Sequence, residues 1–462
     1  MKKMAALENC FTLMLLCFFS ITLNCAPAQA AQQRVLSLEQ LVEMAMETSP
    51  ELKMAEQDIL AAKGELKQAK GGQLPQFDFA VTGGPVNDAQ VPTVAVKGNQ
   101  GTLVQHDSSN IGIFGRLDMA ISQPLYTFGK ISNRKEAAAL GVEAQRAARE
   151  QKRNQVVLYV KELYFAYLIA DQGKSAAREA QDYINDAAKR IKRLLELKAK
   201  NVDPSDLYRL DAFSAEVRAF AAKADSGSHT AYAALKKAIG LPENEDFRTE
   251  VAELPKNTVN LPPEGEYVLR ALEKRPEITQ VKKGAEARGK MVDAAKADLY
   301  PTFFAATIAS LAQAPGREKF DNTYIVDEFN HAWGGLYAGA QWHLDFGIGK
   351  GKLDKARAEY QKMRNTQELA EKSIPVEVVK YYQDAVEAQK SFAAYEQAAV
   401  GSRRWIVAAF SNFDLGIGTA RDMFDAIDRY GKNQGEYLRS LYNYHVGLAR
   451  LDYATGQRAD AP

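Results

Sequence analysis

Two stretches of this chain follow one pattern. "SPELKMAEQDILAAKGELKQAKGGQLPQF" begins at Ser49 and "RPEITQVKKGAEARGKMVDAAKADLYPTF" begins at Arg275. Each opens on a Pro-Glu pair, Pro50-Glu51 and Pro276-Glu277, and reaches a second proline at Pro75 or Pro301, an offset of 226 residues. Farther on, Phe128-Gly129 matches Phe346-Gly347 and Tyr164 matches Tyr382, both at an offset of 218; "LKKAIG" ending at Gly240 matches "LDYATG" ending at Gly456, at 216. Self-similarity of this kind marks a repeat architecture, and two copies are too few for a solenoid. The reading is one structural unit duplicated, residues 31–250 and 251–462.

The order of elements is the same in both copies. Ser37 with Gln40 has the form of a capping box, and Ser49-Pro50-Glu51 reads as N-cap, first-turn proline and first-turn acid. Strands are expected at about 76–84, where Phe77, Phe79 and Val81 alternate with Asp78, Ala80 and Thr82, and at about 112–125. Their counterparts are about 302–311, where alternation is poor, and about 335–346, where Leu336, Ala338, Ala340, Trp342 and Leu344 face away from Tyr337, Gln341, His343 and Asp345. Strands of this length cross a bilayer when tilted, and long polar loops at 85–110 and 313–331 join each pair.

After each strand pair the sequence becomes helical for an unusual distance. Helices are expected over about 130–198 and 204–240 in the first copy, and over about 350–413 (interrupted only by Pro375) and 419–456 in the second. At 1.5 Å per residue the longer member of each pair reaches on the order of 100 Å, more than a globular core spans. Alanine-rich stripes beside Val156, Val157, Val160 and Tyr164 suit close helix packing.

Residues 1–30 read as a secretory leader: Lys2 and Lys3, then "FTLMLLCFFSITL", then "APAQA" with small residues at Ala28 and Ala30. Cleavage before Ala31 removes Cys10, Cys17 and Cys25, the only cysteines, so the mature chain has neither disulfide nor thiol chemistry. Lipidation at Cys25 is the competing reading, against which "TLN" lacks the small residue beside the cysteine. The formal charge of +1 offers no basic surface for nucleic acid. No later segment approaches the ~18 apolar residues of a membrane helix, so a membrane-integral form must use strands.

With these features assembled, the chain resembles the TolC-type outer-membrane factor family over essentially all of its mature length. The segments that carry the resemblance are "SPEL…LPQF", "QPLYTFGK" from Gln123 and "LGIGTARDMFDA…LARLDYATG". It implies a mixed, mainly α protomer of a homotrimer, four strands from each chain closing a 12-stranded outer-membrane β-barrel continued by a periplasmic α-helical barrel. It also implies a passive exit duct in outer-membrane lipid for a tripartite efflux or type I secretion system of a Gram-negative cell. The duct would be coupled through a periplasmic adaptor to an inner-membrane transporter of the RND, ABC or MFS class. Departures are Asn201, near a turn where the family usually carries glycine, and His343 where the first copy has Pro124. The rivals are a periplasmic coiled-coil scaffold and a diffusion porin, and porins lack helices of this length.

Enzyme motifs are missing from the sequence. His106, His229, His331, His343 and His445 never take ligand spacing, "GIGKGK" at 347–352 departs from the phosphate-loop pattern at Leu353, and no G-x-S-x-G elbow occurs. The expectation is a non-enzyme without cofactor or metal. The remaining cluster is "GIGTARDMFDAID", where Asp422, Asp425 and Asp428 stand at i, i+3 and i+6 beyond a turn formed by Gly416 and Gly418. Asp422 and Asp206 are repeat equivalents, and Asp425 corresponds to Arg209. Three readings are open for these acids: first-turn residues that favour the helix dipole, a metal site completed between chains, or, as the resemblance implies, rings of Asp422 and Asp425 gating a trimer axis. In that third reading Arg421, Arg209 or Lys200 ties the rings by salt bridges, and Gly418 falls near the family's basic gate position. The leader reading makes a direct prediction: mass spectrometry of the exported protein finds Ala31 at the N-terminus, and an acylated Cys25 start overturns it.

Overall fold

The computed structural model describes residues 34–90, 93–97, 100–104, 110–199, 202–319, 324 and 327–457. The leader, Ala31, His106, Lys200 and Asn201 lie outside the described residues. In chain order the elements are β1 (Arg34–Leu36), α1 (Leu38–Thr48), α2 (Pro50–Gly71), β2 (Gln76–Asn87), β3 (Thr93–Lys97), β4 (Gln100–Val104), β5 (Ile111–Tyr126), α3 (Lys130–Glu196) and α4 (Pro204–Ala238). Then follow β6 (Phe247–Thr249), α5 (Glu264–Lys274), α6 (Pro276–Ala297), β7 (Thr302–Gln313), β8 (His331–Gln341), α7 (Ile348–Asp414) and α8 (Ala420–Ala454). Helix lengths repeat between the copies: α1 and α5 have 11 residues, α2 and α6 22, α3 and α7 67, α4 and α8 35. The chain divides into two compact units that each draw on both copies, so they cut across the sequence repeats.

One unit comprises Pro50–Asn154, Pro262–Lys380 and the C-terminal end from Ala454. Its centre is an antiparallel sheet in the order β2-β5-β7-β8. Register places Val81 opposite Leu117, Leu117 opposite Leu311 and Leu311 opposite Ala332, with Thr307 opposite Leu336. Phe77, Phe79, Val81, Ile113, Leu117, Leu311 and Leu336 therefore share one face, and all are exposed, Val81 at 82%. The opposite face carries a polar chain: Arg116 pairs with Asp118 at 2.8 Å, and Asp118 accepts from the buried Ser310 hydroxyl, which also lies 2.7 Å from His331 Nε2. Among the described residues, β2 and β8 each have a free edge in one chain.

Beside the sheet, α3 and α6 are laced by ion pairs. Lys130 and Arg134 both bind Asp298, at 2.9 and 2.8 Å, and Lys290 binds Glu136 at 2.6 Å. Arg275, nearly buried, is neutralised by Glu277 at 3.2 Å and Glu377 at 2.8 Å.

Three features differ from the sequence reading. The last strand occupies His331–Gln341 rather than about 335–346, because β7 supplies its partners and ends at Thr302, opposite Gln341. Past that point Trp342 turns its indole N–H to Leu299 O at 3.1 Å, and the Asp345 carboxylate accepts from Gly349 N at 2.9 Å, beginning a helix. The first long loop holds the β3–β4 hairpin, for which "TVAVK" and the Gly-Asn dipeptide at 98–99 are the overlooked signal. Finally, α7 passes through Pro375 without interruption. The proline gives up one ladder bond, a loss that the rest of a 67-residue helix absorbs.

The other unit comprises the described part of Met1–Ser49, with Gln155–Leu261 and Tyr381–Tyr453. It holds the remaining lengths of α3 and α7, all of α4, nearly all of α8, and the short parallel β1–β6 pair. Ser37 caps α1 as its sequence suggests, its hydroxyl accepting from Gln40 N while Gln40 Oε1 accepts from Ser37 N. A strap after β6 crosses α8: Tyr444 Oη accepts from Val259 N at 2.7 Å, and His445 Nε2 lies 2.8 Å from Pro255 O. Burial holds the His445 imidazole below its ordinary pKa. Close packing of α7 on α8 depends on small residues, since a Cβ on Gly447 would stand 3.2 Å from Ala385 Cα.

Gly240, which ends α4 in the left-handed region (φ 71°), abuts the end of α1, where an added Cβ would lie 2.7 Å from Thr48 Cγ2. Gly240→Ala combines backbone strain with that clash and is expected to cost about 1–3 kcal/mol. An unchanged melting temperature by circular dichroism in detergent would contradict this contact.

Candidate functional site

The turn between α7 and α8 is built by backbone first. Leu415 N donates to Ser411 O at 3.0 Å, and Ile417 N and Gly418 N both donate to Asn412 O, at 3.1 and 3.0 Å. Gly416 takes a φ of 75°, the left-handed conformation that ends a helix most easily on glycine. At Gly418 a Cβ would stand 3.0 Å from Phe413 N, so this position needs glycine for space. Leu415 and Ile417, at 74% and 76% exposure, project from the turn.

Thr419 then starts α8 with a reciprocal cap. Asp422 Oδ2 accepts from Thr419 N at 2.9 Å and from Thr419 Oγ1 at 2.7 Å, while Asp422 N donates to Thr419 Oγ1 at 3.3 Å. The Thr419 hydroxyl, then its backbone N–H, holds the Asp422 carboxyl below the ordinary carboxylate pKa, with Arg421 assisting. The first copy does the same at α4: Asp206 Oδ2 accepts from Asp203 N at 3.0 Å, and Asp203 Oδ1 accepts from Ser205 N at 2.7 Å. Asp422 and Asp206 thus share a capping role. The signal was legible as T-x-x-D and D-x-x-D, close variants of the capping box.

Asp425 lies one turn on, exposed, and makes no hydrogen bond or ion pair among the described residues. Asp428 is neutralised by Lys432 at 2.8 Å. Between these acids Met423, Phe424, Ala426 and Ile427 point inward, joining Ile184, Ile191, Leu210, Ile406, Phe410, Phe413 and Tyr430 in one apolar cluster. Burial at this level contributes roughly 1.5–3 kcal/mol per large side chain, so the cluster rather than the cap fixes where α8 runs.

The basic residues stand elsewhere than expected. Within one chain, among the described residues, neither Arg421 nor Arg209 pairs with Asp422 or Asp425. Arg209 instead lies over the Phe424 ring, its Cζ 5.3 Å from the centroid, a cation–π contact. Lys200 and Asn201 lie outside the described residues. Among the described residues, no three His, Cys, Asp or Glu side chains converge on a common point.

Two cross-helix anchors escaped the sequence reading. Arg190 of α3 ion-pairs with Asp414 at the end of α7 and lies over Phe410 at 5.1 Å. Glu179 of α3 accepts from Arg403 and from the Tyr430 hydroxyl, the latter at 2.6 Å; burial and then Glu179 raise the Tyr430 phenol pKa. Both ion pairs join residues 224 apart, and no local pattern encodes them.

The cap carries a pH dependence whose sign is fixed. A depressed folded-state pKa at Asp422 adds stability above the unfolded value of 3.8, lost as pH falls through the folded value. The protection of amides 420–423 against exchange, corrected for the intrinsic pH dependence of the exchange rate, is expected to fall below about pH 4. Thr419→Ala, costing about 1 kcal/mol, should make that exchange fast at neutral pH and flatten its acid dependence. Exchange indifferent to both changes would remove the cap from the account.

Comparison with known proteins places this geometry. The sequence profile of the outer membrane efflux protein family matches residues 41–241 and 268–457, one block per copy. Among solved structures, the outer-membrane channel OprN superposes with a TM-score of 0.76 at 17% identity, over 91% of this chain and 90% of that one. The outer membrane protein VceC of Vibrio cholerae gives 0.72 at 19% identity, over 91% and 96%. The open-state outer-membrane channel MtrE of Neisseria gonorrhoeae gives 0.72 at 18%, over 91% and 88%. No curated protein sequence matches. At these identities the structures establish the fold, that of the trimeric channels with a β-barrel and an α-barrel, and the profile establishes the family. The chain belongs to the outer membrane efflux protein family, whose members are passive channels of the outer membrane rather than enzymes.

Proposed function

We propose that three copies of this chain form the exit duct of a tripartite efflux or type I secretion assembly. A periplasmic adaptor couples the duct to an inner-membrane transporter, and the α7–α8 turns serve as the periplasmic gate. The observation that carries the reading is the four-stranded sheet, with one face of exposed Phe, Val, Ile and Leu and a free edge on each side. Such a sheet is stable in lipid only when copies close it edge to edge. Two repeats, 31–250 and 251–462, behind a leader cleaved before Ala31 are part of the proposal, and the matched helix lengths support them. Leu415 and Ile417 give an adaptor an apolar surface at the turn.

For the gate, the division of labour between the aspartates matters. Asp422 is engaged by its cap, whereas Asp425 is exposed and, among the described residues, without an ion pair, and Asp428 is neutralised. Three copies around one axis bring together six carboxylates from Asp422 and Asp425, whose mutual repulsion favours cations in the constriction and binding of multivalent ones. In planar-bilayer recordings, Asp422→Ala with Asp425→Ala should weaken cation selectivity and abolish block by divalent or trivalent ions from the periplasmic side. Asp425→Asn alone should carry most of this effect because it leaves the cap intact, and Asp428→Ala should carry little. Wild-type selectivity and block in the double variant would make these acids ordinary helix-start residues.

A further inference from the structure

The "GIGKGK" motif, residues 347–352, marks the passage from the sheet into α7. Four apolar side chains in and beside it stand exposed where the sheet gives way to helix: Trp342, Leu344, Phe346 and Ile348, with Phe346 fully in solvent. Lys350 and Lys352 follow at the start of α7, both exposed and without an ion pair among the described residues. Aromatic rings from the other strand ends gather at the same edge of the sheet. Phe128 stacks on Tyr300 at 5.0 Å and meets Tyr126 at 4.7 Å, and β5 ends with Tyr126 opposite Phe303.

The first copy handles its cations differently. Arg134, the counterpart of Lys352 at the 218-residue offset, is held with Lys130 on Asp298. The counterpart of Asp298 at the 226-residue offset is Gly72, which offers no carboxylate. If neighbouring chains repeat the contact made within one chain, α7 meets the Gly72 end of α2, which offers Lys350 and Lys352 no carboxylate, while Asp345, which feels the Lys352 charge, is already engaged by Gly349 N and Gly347 N. The charge asymmetry is thus written into the duplicated sequence.

We propose that Lys350 and Lys352, beneath the apolar row Trp342–Ile348, bind the phosphate of an anionic phospholipid in the inner leaflet of the outer membrane. In sequence the exposed row keeps the alternation of Leu336, Ala338 and Ala340 past the end of β8, and the two lysines follow it, the order in which apolar and basic side chains meet hydrocarbon and headgroup phosphates. Two lysines per chain give six around a trimer. Electrostatic attraction of basic residues to anionic lipid amounts to about fivefold in affinity per residue, screened by salt.

The proposal rests on the membrane placement of the sheet, and the test separates the two. Native mass spectrometry of the trimer titrated with phosphatidylglycerol or phosphatidylcholine is expected to show a preference for phosphatidylglycerol on the order of tenfold. Lys350→Gln with Lys352→Gln should abolish it. Lys362→Gln with Lys372→Gln, the same charge change farther along α7, should leave it intact. Equal binding of the two lipids by the wild type, or an unchanged preference in the Lys350/Lys352 variant, overturns the headgroup site. Loss of the trimer in that variant overturns it as well, since the lysines would then be subunit contacts. Independently, with Trp333→Phe and Trp405→Phe leaving Trp342 as the only tryptophan, its fluorescence should be quenched by lipids brominated on the acyl chain. Without quenching the membrane placement itself fails; quenching with no headgroup preference defeats the lysine site alone.

Discussion

A backbone polar group left unpaired in hydrocarbon costs several kcal/mol, and the edges of the β2-β5-β7-β8 sheet would expose whole rows of them. Four strands cannot curl into a barrel with room inside, so one chain has no way of satisfying β2 and β8 alone. The exposed Val81, Leu117, Leu311 and Leu336 face meets its partner only in lipid. Three copies joined edge to edge satisfy both requirements and leave the Arg116–Asp118–Ser310 side facing water. That closure suits the outer-membrane location of the family's channels.

The helices answer a different constraint. A 67-residue helix cannot rest on propensity alone, and α3 and α7 are held along their lengths by small-residue contacts, ion pairs and the apolar cluster around Phe424 and Phe413. Arg190–Asp414 and Glu179–Arg403–Tyr430 tie α3 to α7 and α8 near the turn, so the acidic face of α8 carries little of the packing. Acids that bear little structural load are available for the gate proposed above, and Asp425 fits that description better than Asp422, which is engaged by its cap.

Much of the fold was legible because proline punctuates it. Pro50, Pro204 and Pro276 each open a helix, and the duplication allowed one copy to check the other. Pro375 was misread because a helix of that length tolerates one missing bond. The last strand was displaced because its ends are set by β7, a partner distant in sequence and poor in alternation. At the site, the glycine turn was readable from Gly416 and Gly418. The cap on Asp422 was readable too, from Thr419 three residues before it. Arg209 over Phe424 and the pairs 224 residues apart depend on tertiary packing, which one sequence does not display.

The central claim is closure of the sheet between copies, and amide hydrogen exchange of the detergent-solubilised protein tests it most directly. In a closed barrel, Gln76–Asn87 and His331–Gln341 exchange as slowly as the interior strands Ile111–Tyr126 and Thr302–Gln313. Rapid exchange along the outer edges of β2 and β8, with β5 and β7 protected, would mean that the sheet stays open, and the channel account would fall with it.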